Sequence, residues 1–184
     1  HTHTVDVDVN GERHAIDTGF IVYNDRTYPN FIQLLSRLGV ESIPTSMSFS
    51  VRCDRTGIEY NGTSLNTMFA QRRNIFRSRF IRMIRDILRF NREAVSLLES
   101  DKEEQTVDEF IRQQGYGTAF GEQYLIPMGA AIWSCPPEMF GQFPMRFIAE
   151  FYHNHGLLSL KNRPQWRVIS GGSRRSMKRT SALR

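Results

Sequence analysis

The order of apolar and polar positions divides the chain into distinct elements. Val5, Val7 and Val9 alternate with Asp6 and Asp8, Asn10-Gly11 is a strong turn signal, and Ala15, Ile16 and Asp17 resume the return strand. A β-hairpin is predicted over about residues 4–17, closing on Thr18-Gly19-Phe20. Pro29 suits the first turn of a helix whose apolar residues Phe31, Leu34, Leu35 and Leu38 recur at helical spacing, with Gly39 as its stop. Two short strands, Met47 to Cys53 and Gly57 to Tyr60, are expected next, joined by Asp54-Arg55-Thr56 and followed by the turn Asn61-Gly62.

Ser78 opens a long amphipathic helix. Phe80, Ile81, Ile84, Ile87, Leu88, Val95 and Leu98 fall on one broad arc, and Arg82, Arg85, Arg89 and Arg92 form a stripe beside it. Thr106-Val-Asp-Glu109 is a capping box for a short helix ending at Gly115. A further helix is predicted from Thr118 towards Ile126, where Pro127 should interrupt it. Another starts at Pro144, carries Phe147, Ile148, Phe151 and Tyr152, and stops near Gly156. Trp166, Val168 and Ile169 read as a strand, and Ser170-Gly171-Gly172-Ser173 turns the chain into a last helix.

Composition narrows the classes. Of 184 residues 40% are hydrophobic, enough for a real core, and no run approaches the ~18 apolar residues of a membrane span. Cys53 and Cys135 stand far apart without metal-ligand spacing, so free thiols and a cytoplasmic location are expected. The net charge of +5 hides an uneven distribution, carried by 21 Arg and 3 Lys. Residues 72–92 hold eight Arg and one Asp, 93–150 hold three basic and ten acidic side chains, and 151–184 hold eight basic side chains and no acidic one. Two basic blocks flanking an acidic one do not make the single-signed face of a polyanion binder.

Candidate chemistry is sparse. His1 and His3, and His153 and His155, are His-x-His pairs, but the second falls on a helix where the rings diverge, and no metal site is expected. Ser170-Gly-Gly-Ser173 could cradle a phosphate, although a tight strand-to-helix turn is the plainer use, and no complete P-loop is present. The arginine stripe reads as a solvated face, as a helix lying on a lipid headgroup layer or, least well, as a nucleic-acid surface, since its aromatic neighbours lie on the apolar side. Asn61-Gly-Thr63 is read as a turn.

Taken in order, several segments carry a resemblance. The opening His1-Thr-His-Thr4, the hairpin, Asp17-Thr-Gly-Phe-Ile-Val22 and the helix ending at Leu38-Gly39 resemble the flavin-containing amine oxidoreductase superfamily. Tyr124-Leu-Ile-Pro-Met-Gly-Ala-Ala-Ile-Trp-Ser134, His153-Asn-His-Gly-Leu-Leu158 and Arg163-Pro-Gln-Trp-Arg-Val-Ile-Ser-Gly-Gly-Ser-Arg174 are similar to a bacterial subgroup described as predicted FAD/NAD(P)-binding oxidoreductases. The resemblance implies an α+β chain: a mainly helical substrate-domain segment with short antiparallel strands, attached to a partial α/β FAD-binding domain. Residues 1–42 would belong to the FAD-binding part, 43–163 to the substrate domain, and 164–184 to a return strand and helix.

By the same resemblance, Thr2 and Thr4 would lie near the FAD pyrophosphate, and Gly19, Phe20 and Ile21 would face the isoalloxazine. Gly129, Ala130 and Trp133 would line a substrate pocket, with the small residues also explicable as a helix crossing. The implied activity is FAD-dependent oxidation of an amine, or desaturation, on a small-molecule or lipid-like substrate. GxGxxG is absent and the chain opens without Met, so it reads as a fragment expected to bind FAD poorly on its own. The alternative is a non-catalytic basic module for anionic lipid surface or nucleic acid. Under the first reading Arg82, Arg85, Arg89 and Arg92 leave a peripheral membrane contact open, with no nucleic acid expected.

Overall fold

The computed structural model describes residues 3–100, 104–159 and 163–174. In chain order it contains β1 (Thr4–Val9), β2 (Glu12–Asp17), β3 (Tyr23–Asn24), α1 (Pro29–Arg37), β4 (Ser42–Thr45), β5 (Ser50–Cys53), β6 (Ile58–Asn61), α2 (Leu65–Met68), α3 (Ser78–Leu98), α4 (Val107–Gln113), α5 (Thr118–Phe120), α6 (Ile126–Trp133), α7 (Pro137–Phe140), α8 (Met145–Asn154) and β7 (Trp166–Ile169). A 3₁₀ turn, Arg72–Phe76, precedes α3, and a π-helical turn, Gly121–Leu125, joins α5 to α6. The fold is α+β with small antiparallel sheets.

The chain forms two compact units, one discontinuous (His1–Met47 with Asn162–Arg184) and one continuous (Ser48–Lys161). In the discontinuous unit β1 and β2 pair in register Thr4↔Asp17 to Val9↔Glu12. Their two-residue turn needs left-handed backbone at both positions, which Asn10 (φ 55°) and Gly11 (φ 84°) supply. A second sheet has the order β3-β7-β4, so the late strand lies between two early ones. β4 was not anticipated; it pairs with β7, and the first segment of the discontinuous unit runs to Met47. Pro44 sits in β4, which is paired on one side only, where a missing N–H is tolerated.

The core of this unit is Tyr23, Leu35, Leu38, Val40 and Ile169, with Phe20, Tyr28, Phe31 and Ile32 packed on it. Leu34, placed on the apolar face by spacing alone, is 43% exposed, and Ile32 takes its place.

The continuous unit is built around α3. Phe80, Met83, Ile87, Phe90, Ala94 and Leu97 form its buried face. The arc is therefore rotated from the expected one: Met83, Phe90, Ala94 and Leu97 turn inward, and Leu88 faces solvent. Phe90 is the hub, its ring meeting those of Phe110, Tyr116, Phe120 and Tyr152 at centroid distances of 5.4–6.4 Å. A fully buried ring of this kind contributes ~1.5–3 kcal/mol. The capping box at α4 is formed: Thr106 N–H donates to Glu109 at 2.9 Å and Glu109 N–H to the Thr106 hydroxyl at 3.2 Å. Asn61 accepts from Thr63 N–H at 2.8 Å, closing the turn after β6.

Pro127 does not interrupt the helix. An α-helix would send the residue-127 N–H to the carbonyl of Gln123, and proline has none to send. The π-helical turn absorbs the mismatch, the Gln123 carbonyl accepts the Tyr60 hydroxyl at 2.5 Å instead, and helical backbone continues to Trp133.

Candidate functional site

In the discontinuous unit the polar groups converge on Asp17, which the hairpin register places opposite Thr4. The Thr4 hydroxyl donates to one carboxylate oxygen at 2.7 Å and the Ser173 N–H to the other at 2.8 Å. Gly172 makes this possible with a φ of 83°, and a Cβ there would sit 3.4 Å from the carboxylate. Partial burial alone would raise the Asp17 pKa, but the bonds from Thr4 and Ser173 and the nearby Arg174 charge hold it below the usual carboxylate value. The Ser170–Ser173 segment is thus a turn after β7 whose Ser173 N–H is committed to an internal carboxylate, not to a phosphate, and the helix expected to follow it lies outside the described residues. Arg174 adds a second clasp, donating to Asp6 at 3.0 Å and to the Thr4 carbonyl at 2.9 Å. Hydrogen bonds from Arg174 and then Arg13 lower the Asp6 pKa.

The residues assigned to a cofactor fall around this clasp. Thr2 lies outside the described residues, as does His1. Thr4 is engaged with Asp17. Gly19 is half-buried and its N–H, with that of Thr18, donates to the His3 carbonyl. Phe20 packs edge-on to Tyr28 and Phe31, with centroids 5.8 and 5.2 Å away. Ile21 is 50% exposed.

In the continuous unit, a Cβ on Gly129 would lie 1.9 Å from the Phe140 ring, so the small residue serves a close approach of α6 and α7. Ala130 is half-buried beside it. Trp133 sits among Phe140, Phe143, Phe147 and Phe151, with centroids 4.8–6.0 Å away. The arginine stripe divides. Arg82, Arg85 and Arg92 are exposed, whereas Arg89 lies 3.9 Å over the Tyr116 ring, donates to the Gln114 carbonyl at 3.0 Å and stands 3.5 Å from Glu93.

A cleft of about 580 Å³ lies between the start of α3 and Gly117–Ala119, with Arg79, Arg82, Arg85, Ser78 and Thr118 in its lining. Its geometry depends on Asp86, a buried carboxylate that accepts the Gly117 N–H at 2.8 Å and faces Arg82 and Arg89 at 3.9 and 4.0 Å.

His153 is exposed, while the His155 ring stacks on Phe151 at 3.9 Å with its Nδ1 2.8 Å from the Phe151 carbonyl oxygen. Among the described residues no group of three or more His, Cys, Asp or Glu could hold a metal ion, and no helix is long and apolar enough to cross a membrane.

Three polar residues went unnoticed in the sequence: Asp86, Gln123 and Tyr60. The first is a lone acid inside the arginine block, and the second stands four residues before a proline, a position whose carbonyl needs another donor. Tyr60 has no local signal. No protein-family model matches the chain, and no curated protein matches it.

Proposed function

We propose that the chain belongs to an FAD-dependent oxidoreductase, amine oxidase-like or desaturase-like, that moves hydride from an organic substrate to flavin. The single observation that carries the reading is the interrupted chain path. The first unit is entered, left for a mainly helical segment, and re-entered through a strand and Gly-Gly turn that close on the Asp-x-Gly segment. That is the order which the resemblance to the amine oxidoreductase superfamily implies. The flavin, when bound, would supply the redox chemistry, and the protein would supply position and a dry surface.

The described residues fit only part of that cofactor. Gly19 has no side chain and Ile21 offers exposed apolar surface, which suits the approach of a flat ring. The pyrophosphate is not fitted by them, because Thr4, Ser173 and Arg174 already serve Asp17 and Asp6 and the Asp17 carboxylate would repel a phosphate. No catalytic step is assigned to any residue on this basis.

The test is flavin retention by the protein that carries this chain, purified with FAD present. Bound flavin absorption that bleaches anaerobically with an amine or a saturated substrate is the expected result. Protein that stays colourless after FAD loading would overturn the proposal.

A further inference from the structure

The turn before α3 combines two features that seldom occur together on a solvated surface. Phe76 is 90% exposed and Ile75 48% exposed, at the end of the 3₁₀ turn Arg72–Phe76. Arg72, Arg73 and Arg77 flank them, and from residue 60 to residue 85 the chain has no acidic side chain. Some arginines of this unit find carboxylates, Arg52 with Asp54, Arg55 with Glu122 and Arg89 with Glu93, whereas among the described residues Arg85 and Arg92 do not. Among the described residues Arg72, Arg73 and Arg77 form no ion pair; Arg72 bonds Asn66 and Arg73 the Gly57 carbonyl. An exposed aromatic and a branched aliphatic side chain among guanidiniums that lack a carboxylate partner match the boundary between anionic headgroups and acyl chains.

We propose that this turn docks on an anionic phospholipid surface, with Ile75 and Phe76 entering the headgroup boundary and Arg72, Arg73 and Arg77 meeting lipid phosphates. The contact lies ahead of the α3 arginine stripe, one member of which, Arg89, is already engaged within the unit. Charge complementarity selects this occupant. A second copy of the chain would bring the same positive turn against itself, and a nucleic acid would find one exposed ring beside an isoleucine, with no stacking platform. The proposal does not rest on flavin: a flavin-free protein that binds vesicles would sink the oxidoreductase reading and leave this one standing.

The experiment is co-sedimentation of the full chain with vesicles of phosphatidylcholine alone or with about a quarter phosphatidylglycerol. Binding is expected on the anionic vesicles only, weakening as salt is raised. Phe76→Ser should weaken it by at least about tenfold, the cost of losing a buried aromatic side chain. Each of Arg72→Gln, Arg73→Gln and Arg77→Gln should weaken it by about fivefold. Circular dichroism should be unchanged, because Arg72, Arg73 and Phe76 are exposed and Arg77 is only half-buried. Phe76→Trp should retain binding and shift its fluorescence to the blue when anionic vesicles are added. The proposal is overturned by absence of binding, equal binding to neutral vesicles, or binding indifferent to Phe76→Ser. It is also overturned by tighter binding to an oligonucleotide than to vesicles, or by a dimer that Phe76→Ser dissolves.

Discussion

The two units of this chain are held by different physics. In the continuous unit Phe80, Met83, Phe90, Phe120, Phe140 and Tyr152 are fully buried, and most of the stabilisation comes from packed rings. Among the described residues the discontinuous unit has five buried apolar side chains and relies on strand pairing, with Asp17 and Asp6 gathering groups from early and late in the chain. Volume changes should therefore damage the first unit, and changes of charge or hydrogen bonding the second. The chain's two tryptophans report the units separately, Trp133 in one and Trp166 in the other. Single-tryptophan variants followed through denaturant unfolding make the contrast measurable.

Gly129→Ala should have the largest effect. The new methyl would lie 1.9 Å from the fully buried ring of Phe140, so ring or helix must shift and a loss of ~3 kcal/mol is expected. The Trp133 transition should fall in denaturant while the Trp166 transition stays put. Equal movement of both would break the distinction between the units.

Tyr60→Phe comes next. It keeps the ring but leaves the Gln123 carbonyl, deprived of a helical partner by Pro127, without its donor. A buried acceptor stranded in this way costs ~1–3 kcal/mol. A loss below ~0.5 kcal/mol in the Trp133 transition would mean that the π-helical turn does not need the tyrosine.

This pair of sites marks how far the sequence could be read. The hairpin, the capping box, α3 and the return strand were legible because each rests on local signals: alternation, a turn dipeptide, a Thr-to-Glu spacing or a helical repeat. The strand Ser42–Thr45 was not, because its four residues include a proline and become a strand only by pairing with a segment far along the chain. The α3 face was misjudged although Phe80, Met83, Ile87, Phe90, Ala94 and Leu97 recur at spacings of three and four, because Ile81, Ile84, Leu88, Val95 and Leu98 offer a second, competing apolar stripe and packing chooses between the two. Around Asp17 the Asp-x-Gly and Gly-Gly segments stood out separately, yet that one closes on the other is a tertiary fact.

Asp17→Asn tests the polar side of the contrast. The amide keeps one acceptor oxygen, so it can serve only one of the Thr4 and Ser173 donors, which bond different carboxylate oxygens, and the charge is lost as well; the site is open enough to solvent that ~1 kcal/mol is expected. The sign with pH follows from the lowered folded pKa: the stabilisation is full above the unfolded value of about 4 and disappears as pH falls through the lower folded value. The Trp166 transition of the parent chain should weaken across that acid window, and that of Asp17→Asn should lack this component. Identical acid profiles would show that the carboxylate does not hold the unit.

Tyr152→Phe should do least, and for an instructive reason. Tyr152 is fully buried beside Trp133 and Phe90, yet its hydroxyl has no hydrogen-bond partner among the described residues, unlike that of Tyr60. Burial pushes its pKa well up, as expected of a phenol kept from water. Removing a buried hydroxyl that bonds to nothing removes a desolvation cost and keeps every ring contact, so stability should hold or rise by up to ~1 kcal/mol. The same chemical change at Tyr60 and at Tyr152 should then move the Trp133 transition in opposite directions, or down in one case and not in the other. If both lower it equally, the Tyr152 hydroxyl has a partner that matters, and the core of the continuous unit is held by polar groups as well as by rings.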